Sequence, residues 1–167
     1  MRLWNWQILP YLPKSQLLSQ KRECDLIWKD IANGKQTNHI LINYIWEYED
    51  YKMQLASYYY LLEKEFKNRG FNFNDKCPLL IYTTKLINRP FEQHHNQQYL
   101  IQCFYNLQEK YDRGQKDFDK ETFEKLNKFM GGRKNMKVKE LLKVLAKDLK
   151  VVVGFNFNEG IIMSNNI

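Results

Sequence analysis

Between Ser15 and Lys35 the residues Leu17, Cys24, Ile27, Trp28 and Ile31 recur at helical spacing and form one apolar stripe. Pro13 keeps the preceding chain extended, and Ser15 is placed to cap the helix through its hydroxyl. Asn33-Gly34 closes it, because glycine takes the left-handed conformation that a helix C-terminus needs. The same period returns over residues 48–69. There Tyr48, Tyr51, Leu55, Tyr58, Tyr59, Leu62 and Phe66 share a face, Lys52, Lys64 and Lys67 fall off it, and Gly70 ends it. A third helix is predicted over about 94–111 on Leu100, Cys103, Phe104, Leu107 and Tyr111, and a short fourth within 113–130 on Phe118, Phe123, Leu126 and Phe129. The chain therefore reads as mainly α: a compact helical domain of three principal helices with long connections over residues 1–130. Residues 131–167 form a small C-terminal α/β appendage, with a basic helix at 136–148 and a strand at 150–155.

The connections carry the remaining features. Residues 1–13 read as an irregular arm anchored by Trp4, Trp6 and Ile8 and turned back by its prolines. Residues 36–47 contain Ile40-Leu41-Ile42, a brief strand or a buried loop. Residues 71–93 form a connection long enough to close over a ligand. His94-His95 is no metal site by spacing, since adjacent residues point different ways on a helix and no acidic or cysteine ligand follows at a usable offset. Tyr58-Tyr59-Tyr60 fits a helix–helix seam better than a stacking platform.

A projection of about 100° per residue puts Glu23 on the flank of the first stripe, beside Gln16 and Ser19, with Arg22 pointing elsewhere. A carboxylate at the edge of a buried face, close to a free amine, is a possible catalytic arrangement. Lys+Arg 26 against Asp+Glu 19 gives a net charge of +7, compatible with a phosphate-rich partner. Three cysteines without metal spacing suit a reduced, cytoplasmic protein, and no leader or membrane-spanning run is expected.

At these residues the chain resembles the pyrimidine-dimer DNA glycosylase family, the endonuclease V type. The pieces are Met1-Arg2-Leu3, Gln20-Lys21-Arg22-Glu23, Ala32-Asn33-Gly34-Lys35, Asn38-His39 and Asn68-Arg69-Gly70-Phe71-Asn72. It looks closest to a branch whose members begin Met-Arg-Leu-Trp and carry Leu-Pro, Gln-Leu-Leu and Arg-Glu-Cys. Leu12-Pro13, Gln16-Leu17-Leu18 and Arg22-Glu23-Cys24 follow that run here. The likeness covers roughly residues 1–110.

The resemblance implies a compact all-helical repair enzyme with glycosylase and abasic-site lyase activity, acting as a monomer on double-stranded damaged DNA without a cofactor or metal. It implies the α-amine of Met1 as nucleophile, Arg2 being too bulky to let Met1 be removed, and Glu23 as the essential carboxylate. Arg2, Arg22 and Lys21 are expected to hold phosphates, with Gln16 near the damaged strand and His39 near the active site. Two positions depart from the family: Gln16 replaces a histidine, and Leu26 replaces a basic residue. A DNA-binding protein of the same fold without catalysis, and a protein-interaction adaptor using the tyrosine-rich helix, are the alternatives.

Overall fold

Pro13, with its fixed φ and no N–H to leave unsatisfied, sits ahead of the first helix, Lys14–Ala32 (α1). Ser15, expected as the cap, lies inside the first turn instead. Its N–H and hydroxyl both donate to Asp117, at 2.5 and 3.0 Å, so an orphan first-turn donor is satisfied by a carboxylate about a hundred residues away. That negative charge also suits a helix N-terminus. Leu17, Cys24, Ile27 and Trp28 are buried as the stripe requires, and Ile31 packs against the same core.

The computed structural model of the chain describes residues 2–74 and 86–131, and within them every regular element is helical. Three further α-helices follow α1: Tyr51–Asn68 (α2), Gln97–Asp112 (α3) and Lys120–Phe129 (α4). Asn96 caps α3 by accepting from Tyr99 N–H at 3.1 Å, and Asp119 caps α4 by accepting from Thr122 N–H at 2.7 Å. Gly131, at φ +83°, ends α4. The mainly α class therefore holds for the described residues. Met1, residues 75–85 of the long connection, and residues 132–167, where the appended helix and strand were expected, lie outside them.

Two connections differ from expectation. The arm is not irregular throughout, since Trp6–Tyr11 forms a 3-10 helix capped by Asn5, whose side chain accepts from Gln7 N–H at 3.0 Å. Ile40-Leu41-Ile42, expected as a brief strand or a buried loop, is a turn, and residues 43–47 after it form a second 3-10 helix. Of Ile40-Leu41-Ile42 only Ile42 is buried, because a single inward side chain closes this turn onto the core. Arg69, at the end of α2, fastens the arm by donating to the carbonyls of Leu12 at 2.7 Å and Pro10 at 2.8 Å. Ion pairing with Glu65 holds the guanidinium in place.

The arm is fixed from its other side by the segment ahead of α3. Phe91 has φ +58°, a left-handed conformation costing a non-glycine residue about 1–2 kcal/mol. Its N–H donates to Gln54 at 2.8 Å, its carbonyl accepts from His95 N–H at 2.6 Å, and its fully buried ring meets Tyr44 edge-on at 5.6 Å. Those contacts hold the strained turn and drive His95 into the core at 2% exposure. There His95 Nδ1 accepts from Trp6 N–H at 3.3 Å, which places the neutral ring's proton on Nε2, 2.7 Å from the Tyr44 hydroxyl. The neighbouring His94 ring stacks on Tyr44 with centroids 3.6 Å apart. The pair thus serves packing, and no group of three or more metal-ligating side chains is found among the described residues. No helix among them is long and apolar enough to cross a membrane.

Burial, reinforced by His94, lowers the pKa of His95 to about 3. In the unfolded chain it titrates near 6.5, so between those values the unfolded state binds the extra proton and stability rises with pH. We predict that the His95 ring shifts in NMR stay those of the neutral form from pH 7 down to about 4. Over that range this group should cost the fold up to about 1.4 kcal/mol per pH unit of acidification, and His95→Gln should flatten the slope in denaturant titrations.

Candidate functional site

The segment Arg2–Trp4 is held at nearly every backbone polar group. Arg2 N–H donates to Glu23 Oε2 at 2.7 Å, and its carbonyl accepts from Gln20 Nε2 at 2.6 Å. The Leu3 carbonyl accepts from the Tyr99 hydroxyl at 2.6 Å. Trp4 N–H donates to Gln20 Oε1, and the Trp4 carbonyl takes the Tyr58 hydroxyl, both at 2.8 Å. Leu3 is fully buried, which pulls the segment down onto the core. The α1 side chains at positions 20 and 23 are neighbours one turn apart, so the same helix face that continues the apolar stripe presents the carboxamide and the carboxylate together.

Glu23 is half-buried and accepts twice on Oε2, from Arg2 N–H and from Gln20 Nε2 at 3.1 Å. Its Oε1 has no donor among the described residues. Glu23 lines a cleft of about 330 Å³, at the small end for ligand sites. The cleft is lined by Arg2, Trp4, Gln16, Glu23 and Leu41, and by Asn106, Glu109 and Lys110 of α3 with its C-cap Arg113. The Arg2 guanidinium lies 5.4 Å from the Trp4 ring centroid. Arg113 is paired with Glu109, whereas Lys110, half-buried in the cleft, forms no ion pair among the described residues.

The predicted residues separate into two groups. Arg2, Gln16 and Glu23 meet in this cleft, with Gln16 Nε2 donating to Gln115 at 3.2 Å. Arg22 is exposed on α1 and forms no ion pair among the described residues. Lys21 stands apart: its ammonium is 2.9 Å from Asp25 and lies over the rings of Tyr59 and Phe73. His39 does not line the cleft, and its Nδ1 accepts from Leu41 N–H at 3.2 Å, shaping the turn that puts Leu41 there. Met1 lies outside the described residues. Gln20, Tyr58, Tyr99 and the α3 wall were not anticipated. Only Gln20 had a local signal, its place between Leu17 and Cys24 on the stripe.

Nearby groups narrow the chemistry. Burial pushes the Cys103 thiol up to about 11, so it is no thiolate at neutral pH. Burial likewise raises Tyr99, which stays a hydroxyl and a donor to the arm. A larger hollow beside the start of α2 is lined by Glu47, Glu49, Asp50 and Glu92, the wrong sign for a phosphate-bearing ligand.

Residues 1–79 match the family model for pyrimidine dimer DNA glycosylase. The matched stretch includes α1, α2 and the arm, while the α3 wall of the cleft lies beyond it. No curated protein and no solved structure matches the chain.

The clamp on the arm has a measurable weight. Gln20→Leu strips Trp4 N–H and the Arg2 carbonyl of their partners, and should lower the unfolding free energy by about 1–3 kcal/mol in urea titrations. Tyr58→Phe, which removes one hydroxyl serving two acceptors, should cost about 1 kcal/mol.

Proposed function

We propose that this chain, whose residues 1–79 belong to the pyrimidine dimer DNA glycosylase family, is a DNA repair glycosylase that also cleaves the strand at the abasic site it makes. Known members of the family are glycosylases with abasic-site lyase activity. The observation that supports this mechanism is the 2.7 Å hydrogen bond from Arg2 N–H to Glu23. An α-amine on the residue bonded to that nitrogen lies, by covalent geometry alone, within roughly 6 Å of the carboxylate.

The amine of Met1 is the nucleophile in this reading. With an ordinary pKa of about 7.7–8.0 it is partly neutral at physiological pH, unlike an exposed lysine near about 10.4. It attacks C1′ of the damaged nucleotide as the bond to the base breaks, and the base leaves carrying a proton. The C1′–O4′ bond then breaks, O4′ taking a proton from water to become a hydroxyl, and a protonated imine is left between the amine and C1′. Glu23 stabilises the positive charge that develops on the sugar, then takes a proton from C2′. The electrons left behind expel the 3′ phosphate and break the strand. Oε2 is held by neutral donors, which leaves Oε1 for this proton traffic.

Arg2 and Lys110 in the cleft, with Arg22 outside it, are the cations positioned for phosphates, and Lys21 is committed to Asp25 instead. Gln16 offers an amide to the strand beside Glu23. His39 acts through the turn it holds. The chemistry needs the damaged nucleotide or its partner out of the stack, which damage makes easier. A protein that binds DNA without cleaving it is the alternative, and the exposed Leu26 in place of a cation favours it.

Borohydride trapping on abasic-site duplex separates the two. Wild type should give a covalent protein–DNA band, and blocking the α-amine should abolish it. Glu23→Gln should slow strand cleavage by about 10²–10⁴-fold. Binding without any band would leave the non-catalytic reading. The cation assignment has its own measure: Lys110→Ala should reduce the slope of log affinity against log salt by about 0.9, the release expected for one phosphate contact.

A further inference from the structure

We propose that the tip Ile40-Leu41 is a wedge that enters the base stack of duplex DNA and fills the space vacated at the damaged step. This rests on the DNA-repair reading of the cleft and adds the element that would open the stack. Ile40 is 86% exposed, the most exposed large apolar side chain among the described residues, and Leu41 is 40% exposed. A single exposed aliphatic residue is ordinary. Two in sequence on a braced turn, one lining the cleft that contains Glu23, are not.

The turn is built to hold them out. The His39 carbonyl accepts from Ile42 N–H at 2.9 Å and Asn43 N–H at 3.0 Å, and His39 N–H donates to the Asn43 side chain at 2.9 Å. Leu41 N–H is tied to the His39 ring, and fully buried Ile42 roots the turn in the core. On the other side, the Thr37 hydroxyl donates to Asp30 at 2.6 Å, fastening the loop to α1. The tip therefore enters a partner already ordered, with little conformational entropy left to lose.

Its surroundings define the partner. The cleft that Leu41 lines holds Arg2 and Lys110 beside Glu23 and the Arg113–Glu109 pair, a small excess of positive charge that suits a ligand carrying anionic groups beside an apolar interior. Stacked bases between phosphate strands meet both requirements. Side chains of Leu and Ile type enter base steps in proteins that unstack DNA, and having no polar atom they read no sequence. A damage enzyme needs that indifference to the neighbouring bases.

The test uses the full chain and a duplex carrying a stable tetrahydrofuran abasic analogue, with 2-aminopurine opposite it. Wild type should raise the 2-aminopurine fluorescence and prefer this duplex over an undamaged one. Ile40→Ala/Leu41→Ala should lose most of the fluorescence rise and at least tenfold of that preference. Its salt slope should match wild type, because no charge is removed, and both substitutions are at exposed positions, so its thermal unfolding should be unchanged. A double variant with wild-type fluorescence and preference would overturn the wedge while leaving the cleft's function standing. Failure of wild type to bind either duplex at low salt would overturn both.

Discussion

The carboxamide of Gln20, at 1% exposure, accepts the Trp4 N–H with one end and donates to the Arg2 carbonyl and Glu23 with the other. Only a side chain carrying donor and acceptor on one planar group can span an arm in this way, since a carboxylate lacks the donor and an ammonium lacks the acceptor. The Tyr58 hydroxyl has a single proton for two acceptors, the Trp4 carbonyl and Gln20 Oε1, so it couples α2 to the same amide without satisfying both at once. The direction of Arg2, the donors on Glu23 and the shape of the cleft follow from this one bridge. A buried polar network of this kind fixes a single geometry when complete and is costly when one member is removed.

Net charge says less about the cleft than its distribution does. Lys21, Lys67, Arg69, Arg113 and Lys125 are each engaged with a carboxylate four residues away on their own helix or at its end. The exposed pairs of this spacing add little to stability and are screened by salt. Among the cations outside such pairs, Arg2 and Lys110 both line one cleft. A modest excess of positive charge can thus be concentrated where it acts.

The helices were legible because burial follows a local period: Leu17, Cys24, Ile27 and Trp28 on α1, and Leu55, Tyr58, Tyr59, Leu62 and Phe66 on α2, are all buried. Gln20 occupied the same stripe and was passed over because hydropathy discounts an amide, although a polar residue between two buried ones is a signal in itself. Ser15 looked like a cap by local rules, and the competing partner, Asp117, could not be read from a window of that length. The tip at Ile40 misled in the opposite sense. Its apolar run suggested burial, while the turn chemistry of His39 and Asn43 turned two of the three side chains outward. Glu23 is legible by helical projection as well as by motif resemblance, Arg2 by resemblance alone, and both line the cleft. The α3 wall carried no local mark, because it becomes part of the site only when helices distant in sequence pack.

The contacts that seat the arm also impose an order in time. Leu3 is bonded to Tyr99 across 96 positions, and Asn5 to the His95 carbonyl across 90. Ribosomes extend a chain at about 5–20 residues per second, so Leu3 waits on the order of 5–20 s before Tyr99 has even been joined. For that interval the arm has lost its far anchors, and closing so long a loop is an entropic barrier that near neighbours cannot lower. A nascent chain therefore exposes its first residues to every modifying enzyme near the tunnel exit, and the cleft comes into being as one of the last acts of folding.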